Sequence, residues 1–455
     1  MTNSAAEISP FLALSALDEQ RINSFHLRMV FTAGMGFFTD AYDLFIIGVV
    51  TSILTPLWHL TTTQLAILNG ASLASAALGA VFFGFMADKK GRKKMYGIEI
   101  AILFFGAILS AISPSFIWLL LARILVGLGI GGDYPTSAVV ASEYSNRQNR
   151  GFLVLLVFAM QALGLVIGPS IASLFLAMQI PQEIVWRSLL LLGAIPAASV
   201  FFLRRKIAET PRFICSQHPP HYEVSRVVSD LVGYIPHSTY QFFEKQKLLS
   251  KKWLKLLIGT AGTWFLLDVA FYGNGVSSVL IMNTISPHAS LLTHTLLSAG
   301  LFLCFAVPGY IFSALYVDKI GRTRLQTLGF IIIAICYINI GLVPEISKHF
   351  WLFLSLFGLS FFFINFGPNA TTFLIPSEIF PTSIRAQAHG LSAAIGKLGA
   401  FIGVILLPAI LNTYGLSTTM LVVSLVSIMG AVVTQLLPEM SNASLEASEL
   451  FLEKM

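Results

Sequence analysis

Long apolar stretches recur along almost the whole chain, and few folds can accommodate them. Each has about 20 residues, the length that a helix needs to cross about 30 Å of hydrocarbon in a bilayer. We predict twelve helical spans, at 27–55, 64–87, 95–113, 116–141, 150–178, 187–204, 254–284, 293–317, 325–343, 349–376, 386–412 and 416–437. The runs are continuous rather than alternating, which excludes a membrane β-barrel. The expected fold class is therefore an all-α membrane protein.

Composition agrees with a chain that lies mostly inside a membrane. Hydrophobic residues make up 56% of the 455 residues and charged residues only 11%, against roughly 25% charged residues in soluble proteins. The net charge of +6 is spread over many loops, so we expect the lipid bilayer as a partner and no nucleic acid. Cys215, Cys304 and Cys336 are too scattered for a disulfide framework or a metal site. We expect no cofactor and no signal peptide.

Basic residues mark one side of the membrane. The loops on that side contain Lys89, Lys90, Arg92, Lys93, Lys94, Arg147, Arg150, Arg204, Arg205, Lys206, Lys251, Lys252, Lys319, Arg322, Arg324 and Arg385. The opposite loops contain only Arg187 and Lys348. Since Lys/Arg-rich loops face the cytoplasm, both termini are expected there. The predicted division is an N-terminal tail at 1–24, a bundle at 25–204, a cytoplasmic linker at 205–252, a second bundle at 253–437 and a C-terminal tail at 438–455.

The two halves of the chain repeat each other. The loop around Asp88 recurs around Asp318, 230 residues later, with the same Gly-Arg pair three residues after the Asp. Asp40 recurs as Asp268 at an offset of 228, and Tyr134 aligns with Asn369 at an offset of 235. A nearly constant offset indicates a duplicated unit of six spans, and repeat interfaces near the membrane midplane are where transporters place their sites. The expected architecture is two six-helix pseudo-symmetric bundles.

Several motifs carry a resemblance to a known family. Gly84 to Lys94 resembles the loop signature of the major facilitator superfamily, and Glu209-Thr210-Pro211-Arg212 resembles its sugar-porter-like branch. The segments 131–138 and 366–373, with Asp40-Ala41-Tyr42-Asp43 and the Trp264, Asp268, Tyr272 series, resemble the phosphate:proton symporter family. The resemblance covers about 37–397 and implies a twelve-helix transporter that imports inorganic phosphate with protons by alternating access.

The resemblance also implies site residues. The positions that match the family's substrate-binding pattern are Tyr134, Gln161, Trp264, Asp268, Tyr272 and Asn369. Hydroxyl, amide and indole groups donate hydrogen bonds to oxygens, whereas ionised Asp268 can only accept them. An Asp beside an oxyanion is repulsive unless one partner carries a proton. This suggests that Asp268 is protonated when the anion is bound and ionised when it is not, which would couple the proton to the anion. Trp264, Asp268 and Tyr272 could instead be a helix-packing stripe with one unusual Asp.

Ionisable residues inside apolar runs are expensive and usually functional. The expected proton-coupling set is Asp40, Asp43, Asp133, Asp268, Lys397 and Arg123. The alternative is structural ion pairing, for example of Arg123 with Asp133, or of Asp40 with Lys397 or Arg123. The expected gating set on the basic side is Asp88, Arg92, Glu143, Arg147, Arg150, Asp318, Arg322, Glu378 and Arg385. We expect Asp88 to pair with Arg92, Glu143 with Arg147 and Arg150, and Glu378 with Arg385.

The functional hypotheses differ in class. The first is a proton-coupled phosphate importer, expected as a monomer in a bacterial inner membrane. A proton-coupled carrier of an organic anion or a phosphorylated metabolite remains an alternative. A non-transporting phosphate receptor is the rival from another class, although the linker and tail are short for signalling domains. An enzyme is not expected, because the chain has no phosphate-binding loop and no nucleophilic triad.

Overall fold

The computed structural model describes residues 12–217, 246–343, 345–346 and 349–454, and within them it is helical with no strand. Among the described residues, eleven helical segments are long and apolar enough to cross a membrane. The first to tenth spans are Ser24–Trp58, Thr62–Lys90, Arg92–Ala111, Phe116–Tyr144, Arg150–Ala177, Gln182–Lys206, Lys251–Val276, Leu291–Ile320, Arg322–Leu342 and Phe350–Ile379, and the eleventh segment is Arg385–Thr434. Lys348, the interior of the linker and the outer ends of both tails lie outside the described residues.

The eleventh segment contains two spans rather than one. Its 50 residues would form a helix of about 75 Å, far longer than a bilayer is thick. Gly415 breaks it with φ 81° and ψ 177°, a left-handed backbone that glycine adopts without a steric cost. We call the parts before and after Gly415 the eleventh and twelfth spans. The count of twelve agrees with the prediction.

Most predicted span edges lie within a few residues of the observed ones, and the seventh span differs most. The prediction extends it to residue 284, whereas the helix ends at Val276. Ser277 leaves the helical backbone with ψ 7°, and a separate short helix, Ser278–Ile285, follows. Apolar content alone did not reveal this break, because both helices are apolar.

Outside the spans, the described residues include three further helices. The N-terminal helix is Leu12–Asp18, the linker helix is Pro211–Ser216, and the C-terminal helix is Leu445–Lys454. The linker helix begins where Thr210 accepts from the Phe213 N–H and Pro211 occupies the first turn, a favourable start for a helix. All three lie at the end of the molecule where basic residues cluster, which we call the basic side.

The two halves meet along a long boundary. The second span packs on the eleventh and the fifth on the eighth. At Gly84 an added Cβ would lie 2.5 Å from the Ala386 carbonyl oxygen and 3.1 Å from the Gly390 Cα, so only glycine permits this approach. The candidate site lies on this boundary, where polar side chains from both halves meet.

Candidate functional site

Three side chains of the seventh span face the boundary. Trp264, Asp268 and Tyr272 follow at intervals of four residues, so the helix places them on one face. All three are at most 2% exposed. The Tyr272 hydroxyl lies 3.2 Å from that of Tyr134 in the fourth span, and the Trp264 and Tyr134 ring centroids are 5.9 Å apart. This face of the seventh span therefore contacts the N-terminal half directly.

Lys397 of the eleventh span lies at the centre of these side chains. Its ammonium donates to Asp268 Oδ2 at 2.9 Å and to the Tyr272 hydroxyl at 3.0 Å. It also lies 4.4 Å and 4.3 Å from the ring centroids of Tyr134 and Tyr272. A buried charge is tolerated only when it is paired, and the carboxylate, the hydroxyl and the two ring faces compensate this one. Lys397, expected in the proton path, thus lies among the expected anion ligands.

A chain of hydrogen bonds continues from Tyr134 into both halves. Gln161 Nε2 donates to the Tyr134 hydroxyl at 3.5 Å, and the Tyr310 hydroxyl donates to Gln161 Oε1 at 3.1 Å. Asn369 Nδ2 donates to the Tyr310 hydroxyl and to Asn365 Oδ1, each at 2.8 Å. The structure therefore brings the six residues expected from the resemblance into one buried cluster, which we call the midplane cluster.

Tyr310 and Asn365 belong to the midplane cluster but not to the residues expected from the sequence. Asn365 precedes Asn369 by four residues, and this spacing could have indicated it. Tyr310 lies in the apolar eighth span, and no charge or repeat partner marks it. Its hydroxyl connects Gln161 of one half to Asn369 of the other.

The midplane cluster has the chemistry of an oxyanion site. Three tyrosine hydroxyls, three side-chain amides, one indole N–H and one ammonium can all donate to oxygen atoms. Asp268 is its one acidic side chain, and it forms an ion pair with the ammonium of Lys397. The donors contact one another directly, so an anion could enter between them only if the halves moved apart locally.

Two acids of the first span lie near the cluster but in different surroundings. Arg123 donates to Asp43 Oδ1 and to the Asp43 carbonyl oxygen, both at 3.0 Å. Asp40 is fully buried, and neither of its carboxylate oxygens has a hydrogen-bond partner among the described residues. The expected alternative that Lys397 or Arg123 holds Asp40 is therefore wrong, since both have other partners.

Asp133 lies in a neighbouring ion-pair group, close to Gly36 of the first span, one helical turn before Asp40. Arg204 donates to its two oxygens at 2.8 Å and 2.9 Å and to Glu99 at 3.2 Å. Pairing of Asp133 with Arg123, the example expected from the sequence, is wrong. Neither Arg204 nor Glu99 was among the residues expected from the sequence. Arg204 was missed because it begins a basic run at a span end. Glu99 could have been recognised, because it is an acid within an apolar run.

Comparison with known proteins identifies the family. Residues 29–451 match the family model described as sugar (and other) transporter. The chain belongs to that family. Probable inorganic phosphate transporter 1-6 of Arabidopsis thaliana is 33% identical over 95% of this chain and 95% of its own length. Inorganic phosphate transporter 1-4 of the same plant is 34% identical over 95% and 94%.

The fold has solved counterparts. The major facilitator proton:xylose symporter XylE bound to 6-bromo-6-deoxy-D-glucose matches with a TM-score of 0.80 at 18% identity, covering 94% of this chain and 99% of that chain. The predicted major facilitator fold and the resemblance to this family are confirmed, and the protein is a multi-pass membrane transporter rather than an enzyme. Both relatives named above are plant proteins, so they do not support the expected bacterial inner membrane.

On the basic side, the transporter closes around Glu143. Arg92 donates to Glu143 at 3.2 Å, and Arg385 of the other half donates to it at 2.9 Å. The Ala386 and Gln387 main-chain N–H groups donate to Asp88 at 3.2 Å and 2.7 Å. The contacts of Arg385, Ala386 and Gln387 cross the boundary between the halves and hold their basic ends together, whereas the Arg92–Glu143 pair lies within the N-terminal half.

The partners of Glu143 differ from those expected. Arg150 lies 3.2 Å from Asp18 of the N-terminal helix, and it does not pair with Glu143. The Arg147 side chain is exposed, and its main-chain N–H donates to the Asp18 carbonyl oxygen. The fourth span turns Glu143 toward the boundary, whereas the two arginines follow the helix end and reach the N-terminal segment.

The second half contains a related but rearranged group. Glu378 pairs with Arg322 at 2.9 Å and not with Arg385, so that expected pair is wrong. Arg322 also lies 2.8 Å from Asp318, as Arg92 lies 3.1 Å from Asp88. The repeat thus preserves each Asp-Arg pair, while Arg385 crosses to the other half.

The terminal helices join the linker helix on the same side. Arg212 donates to Asp18 at 2.9 Å and to Glu446 of the C-terminal helix at 2.7 Å. Burial raises the pKa of Asp18 above its usual value, although Arg212 opposes this shift. Burial also acts to raise the pKa of Glu446, but the charge and hydrogen bond of Arg212, together with the charge of Arg150, outweigh it and the net pKa is lowered. One arginine therefore connects three segments that are distant in sequence.

The opposite side of the transporter is also closed. At Gly48 an added Cβ would lie 2.6 Å from the Val276 carbonyl oxygen, so the first and seventh spans touch through their backbones. At Gly275 an added Cβ would lie 2.3 Å from the Phe45 ring. The midplane cluster is therefore enclosed from both sides.

Proposed function

We propose that this transporter imports inorganic phosphate together with protons by alternating access, with its basic side and both termini in the cytoplasm and the protein in a plasma membrane. One observation carries the proposal: the buried Lys397 ammonium is held by Asp268 and Tyr272 at the centre of a cluster of donors. The named phosphate transporters among its relatives support the choice of anion. The repeated halves and the enclosed cluster support alternating access.

Lys397 would be the charge that selects an anion. In a low-dielectric site, hydrogen bonds from an ammonium to an oxyanion are stronger than those between neutral groups. The hydroxyls of Tyr134, Tyr272 and Tyr310 and the amides of Gln161 and Asn369 would complete the shell around phosphate oxygens. The Asp268 carboxyl would accept from a phosphate hydroxyl, which sulfate lacks at neutral pH.

Competition for Lys397 would couple the proton to the anion. With Asp268 ionised, the ammonium is neutralised and phosphate meets a like charge. A proton on Asp268 would free Lys397 for phosphate and remove the repulsion. Loss of that proton toward the cytoplasm would restore the ion pair and displace the anion, so both would move in the same direction.

Asp40 is the second candidate proton carrier. A fully buried carboxylate without a hydrogen-bond partner costs several kcal/mol, so its neutral form is favoured. Moving one negative charge against an inside-negative potential costs about 2.3 kcal/mol per 100 mV. Two protons per monovalent phosphate would make the step favourable, and Asp268 and Asp40 are two acids that could supply them. Asp43 and Asp133, which are paired with arginines, would instead fix the geometry around them.

Transport in proteoliposomes tests the proposal. Wild type should accumulate radiolabelled phosphate only under an inward proton gradient. Asp268→Asn should lose accumulation, while phosphate binding loses the part of its pH dependence that comes from Asp268, because Lys397 stays free. Asn274→Ala, a buried polar change on the same span that removes a contact to Tyr337, serves as the matched control and should still accumulate phosphate.

Other outcomes distinguish the alternatives. Accumulation by Asp268→Asn would contradict the coupling scheme. If folded wild type transports no phosphate, competition with phosphorylated and carboxylic metabolites in the same assay identifies another anion. Binding of phosphate without any exchange across the membrane would instead indicate a receptor.

A further inference from the structure

We propose that the groove between the third, fourth and sixth spans binds one anionic phospholipid of the cytoplasmic leaflet. The groove is a cavity of about 890 Å³ on the outer surface of the N-terminal bundle. It is distinct from the midplane cluster, and none of its lining residues has a role in the transport scheme above. The inference does not depend on the transported substrate.

The polar end of the groove is positively charged. Lys93, Lys94 and Arg205 line it, and all three side chains are exposed. Within the described part of the chain their charged ends join no ion pair, whereas neighbouring Arg92 and Arg204 are buried in ion pairs. Two acids lie close: Glu209 accepts from the main-chain N–H of Lys93 at 3.2 Å, and Glu99, in the first turn of the next helix, is buried against Arg204. The balance of charge at this end remains basic.

A break in the third span adds to this positive end. Its first helix ends at Met95, and its second begins at Ile98 after Gly97, which provides no side-chain cap. Gly97 and Ile98 both line the groove. Unpaired N–H groups at a helix start favour negatively charged groups. A phosphodiester between the three basic side chains would therefore also meet the start of this helix.

The rest of the groove is apolar and open to the membrane. Ile98 and Phe105, two turns apart on the third span, are 48% and 59% exposed. Phe201 of the sixth span forms the opposite wall, and the Arg205 guanidinium lies 5.7 Å from the centre of its ring. A second cavity of about 230 Å³ shares Ala101, Phe105 and Phe201 with the first and extends it toward Phe104. The combined wall suits an acyl chain.

This combination identifies the ligand class. Basic pockets between spans on the cytoplasmic side bind anionic lipid headgroups, and each Lys or Arg near the surface contributes to that attraction. A free phosphate would use only the basic end and a neutral lipid only the apolar wall. An anionic phospholipid uses both parts, and it is present at this depth of the membrane.

Lipid binding to the purified full-length protein tests the site. Native mass spectrometry in detergent would compare dioleoyl phosphatidylglycerol with dioleoyl phosphatidylcholine, which have the same acyl chains. Wild type should retain phosphatidylglycerol preferentially. In the triple variant Lys93→Gln/Lys94→Gln/Arg205→Gln, the preference for phosphatidylglycerol should be at least tenfold lower than in wild type. Each basic residue near the membrane surface strengthens the binding of an anionic lipid about fivefold. Equal retention of the two lipids by wild type would overturn the proposal.

Two further variants separate charge, groove and headgroup. Lys89→Gln/Lys90→Gln/Lys319→Gln changes the same net charge at exposed positions outside the groove and should keep the preference. Ala101→Phe fills the apolar wall without changing charge and should weaken phosphatidylglycerol binding severalfold. Unchanged binding in Ala101→Phe, or displacement of phosphatidylglycerol by inorganic phosphate alone, would show a free-anion site and contradict the phospholipid assignment.

Discussion

At the scale of single residues, the structural role of the Lys397–Asp268 ion pair can be separated from the functional role proposed for it. Each is buried and each neutralises the other at 2.9 Å. Removing one partner of such a pair leaves an unpaired charge, whereas replacing both can be nearly neutral. Stability and phosphate binding should therefore respond differently to single and double substitutions.

We expect Lys397→Gln to weaken phosphate binding about 10- to 100-fold, the range for hydrogen bonds to a charged group. It should also lower the free energy of unfolding by about 3–5 kcal/mol, because Asp268 loses its partner. The double variant Asp268→Asn/Lys397→Gln should recover most of the thermal stability but not the binding. Equilibrium binding and melting in detergent measure both, and recovery of binding in the double variant would exclude Lys397 as the anion ligand.

Tyr310 provides a second test at this scale. Tyr310→Phe removes the hydroxyl shared by Gln161 and Asn369, and we expect the half-saturating phosphate concentration to rise about tenfold, since an unpaired buried polar group costs about 1–3 kcal/mol. Tyr337→Phe is the matched control, because that buried hydroxyl also has two side-chain partners, Asn274 and Ser360. Equal effects of the two variants on uptake would mean that Tyr310 is only structural.

At the scale of helices, the sequence predicted which segments exist better than which segments meet. The apolar runs and the constant offset between Asp88 and Asp318 predicted twelve spans in two repeats. Partner choice depends on the rotation of each helix and on which spans are neighbours, and neither is visible in one sequence. The partner of Asp133 is therefore Arg204, which also pairs with Glu99 of another span. From the sequence, Arg123 was an equally reasonable partner for Asp133.

The candidate site shows the same limit. The motif resemblance indicated six residues that the structure brings together, because a motif fixes residue type and position on a helix. Tyr310 and Asn365 carry no such motif, and only the packing of the eighth and tenth spans reveals them. Lys397 was recognised as unusual, but its position between Asp268 and Tyr272 required the packing of the eleventh span on the seventh.

The contacts of the fourth span on the basic side can be tested through Cys215 of the linker helix. Cys215 is buried, and burial raises the pKa of its thiol to about 12. Since the thiolate is the reactive form, a membrane-impermeant maleimide applied from the basic side should label it slowly at pH 7.5. Glu143→Gln weakens the contacts of Arg92 and Arg385, and we expect labelling to accelerate about tenfold, the effect of weakening a hydrogen bond to a charged group.

Two controls accompany this measurement. Cys215→Ser identifies the labelled site, and Glu183→Gln makes the same chemical change in a more exposed pair with Arg187 on the opposite side. Glu183→Gln should leave the labelling rate unchanged. A rate in Glu143→Gln equal to that of wild type would mean that Glu143 does not hold the basic side closed.

At the scale of the whole molecule, two close backbone contacts on opposite sides of the midplane cluster predict opposite conformational traps. An added Cβ at Gly48 would lie 2.6 Å from the Val276 carbonyl oxygen, and one at Gly84 would lie 2.5 Å from the Ala386 carbonyl oxygen. A backbone cannot move away as a flexible side chain does. Gly48→Leu should therefore keep the side opposite the basic side open, and Gly84→Leu should keep the basic side open.

Both variants should abolish phosphate exchange, because alternating access needs each side to close in turn. They should differ in the labelling of Cys215, which we expect to rise severalfold in Gly84→Leu and to stay at the wild-type rate or below it in Gly48→Leu. Phosphate offered from outside should still bind Gly48→Leu, since the midplane cluster is unchanged. Exchange at the wild-type rate in either variant would contradict a rigid movement of the two halves. It would mean that a leucine side chain fits at a contact where the rigid movement requires the two backbones to touch.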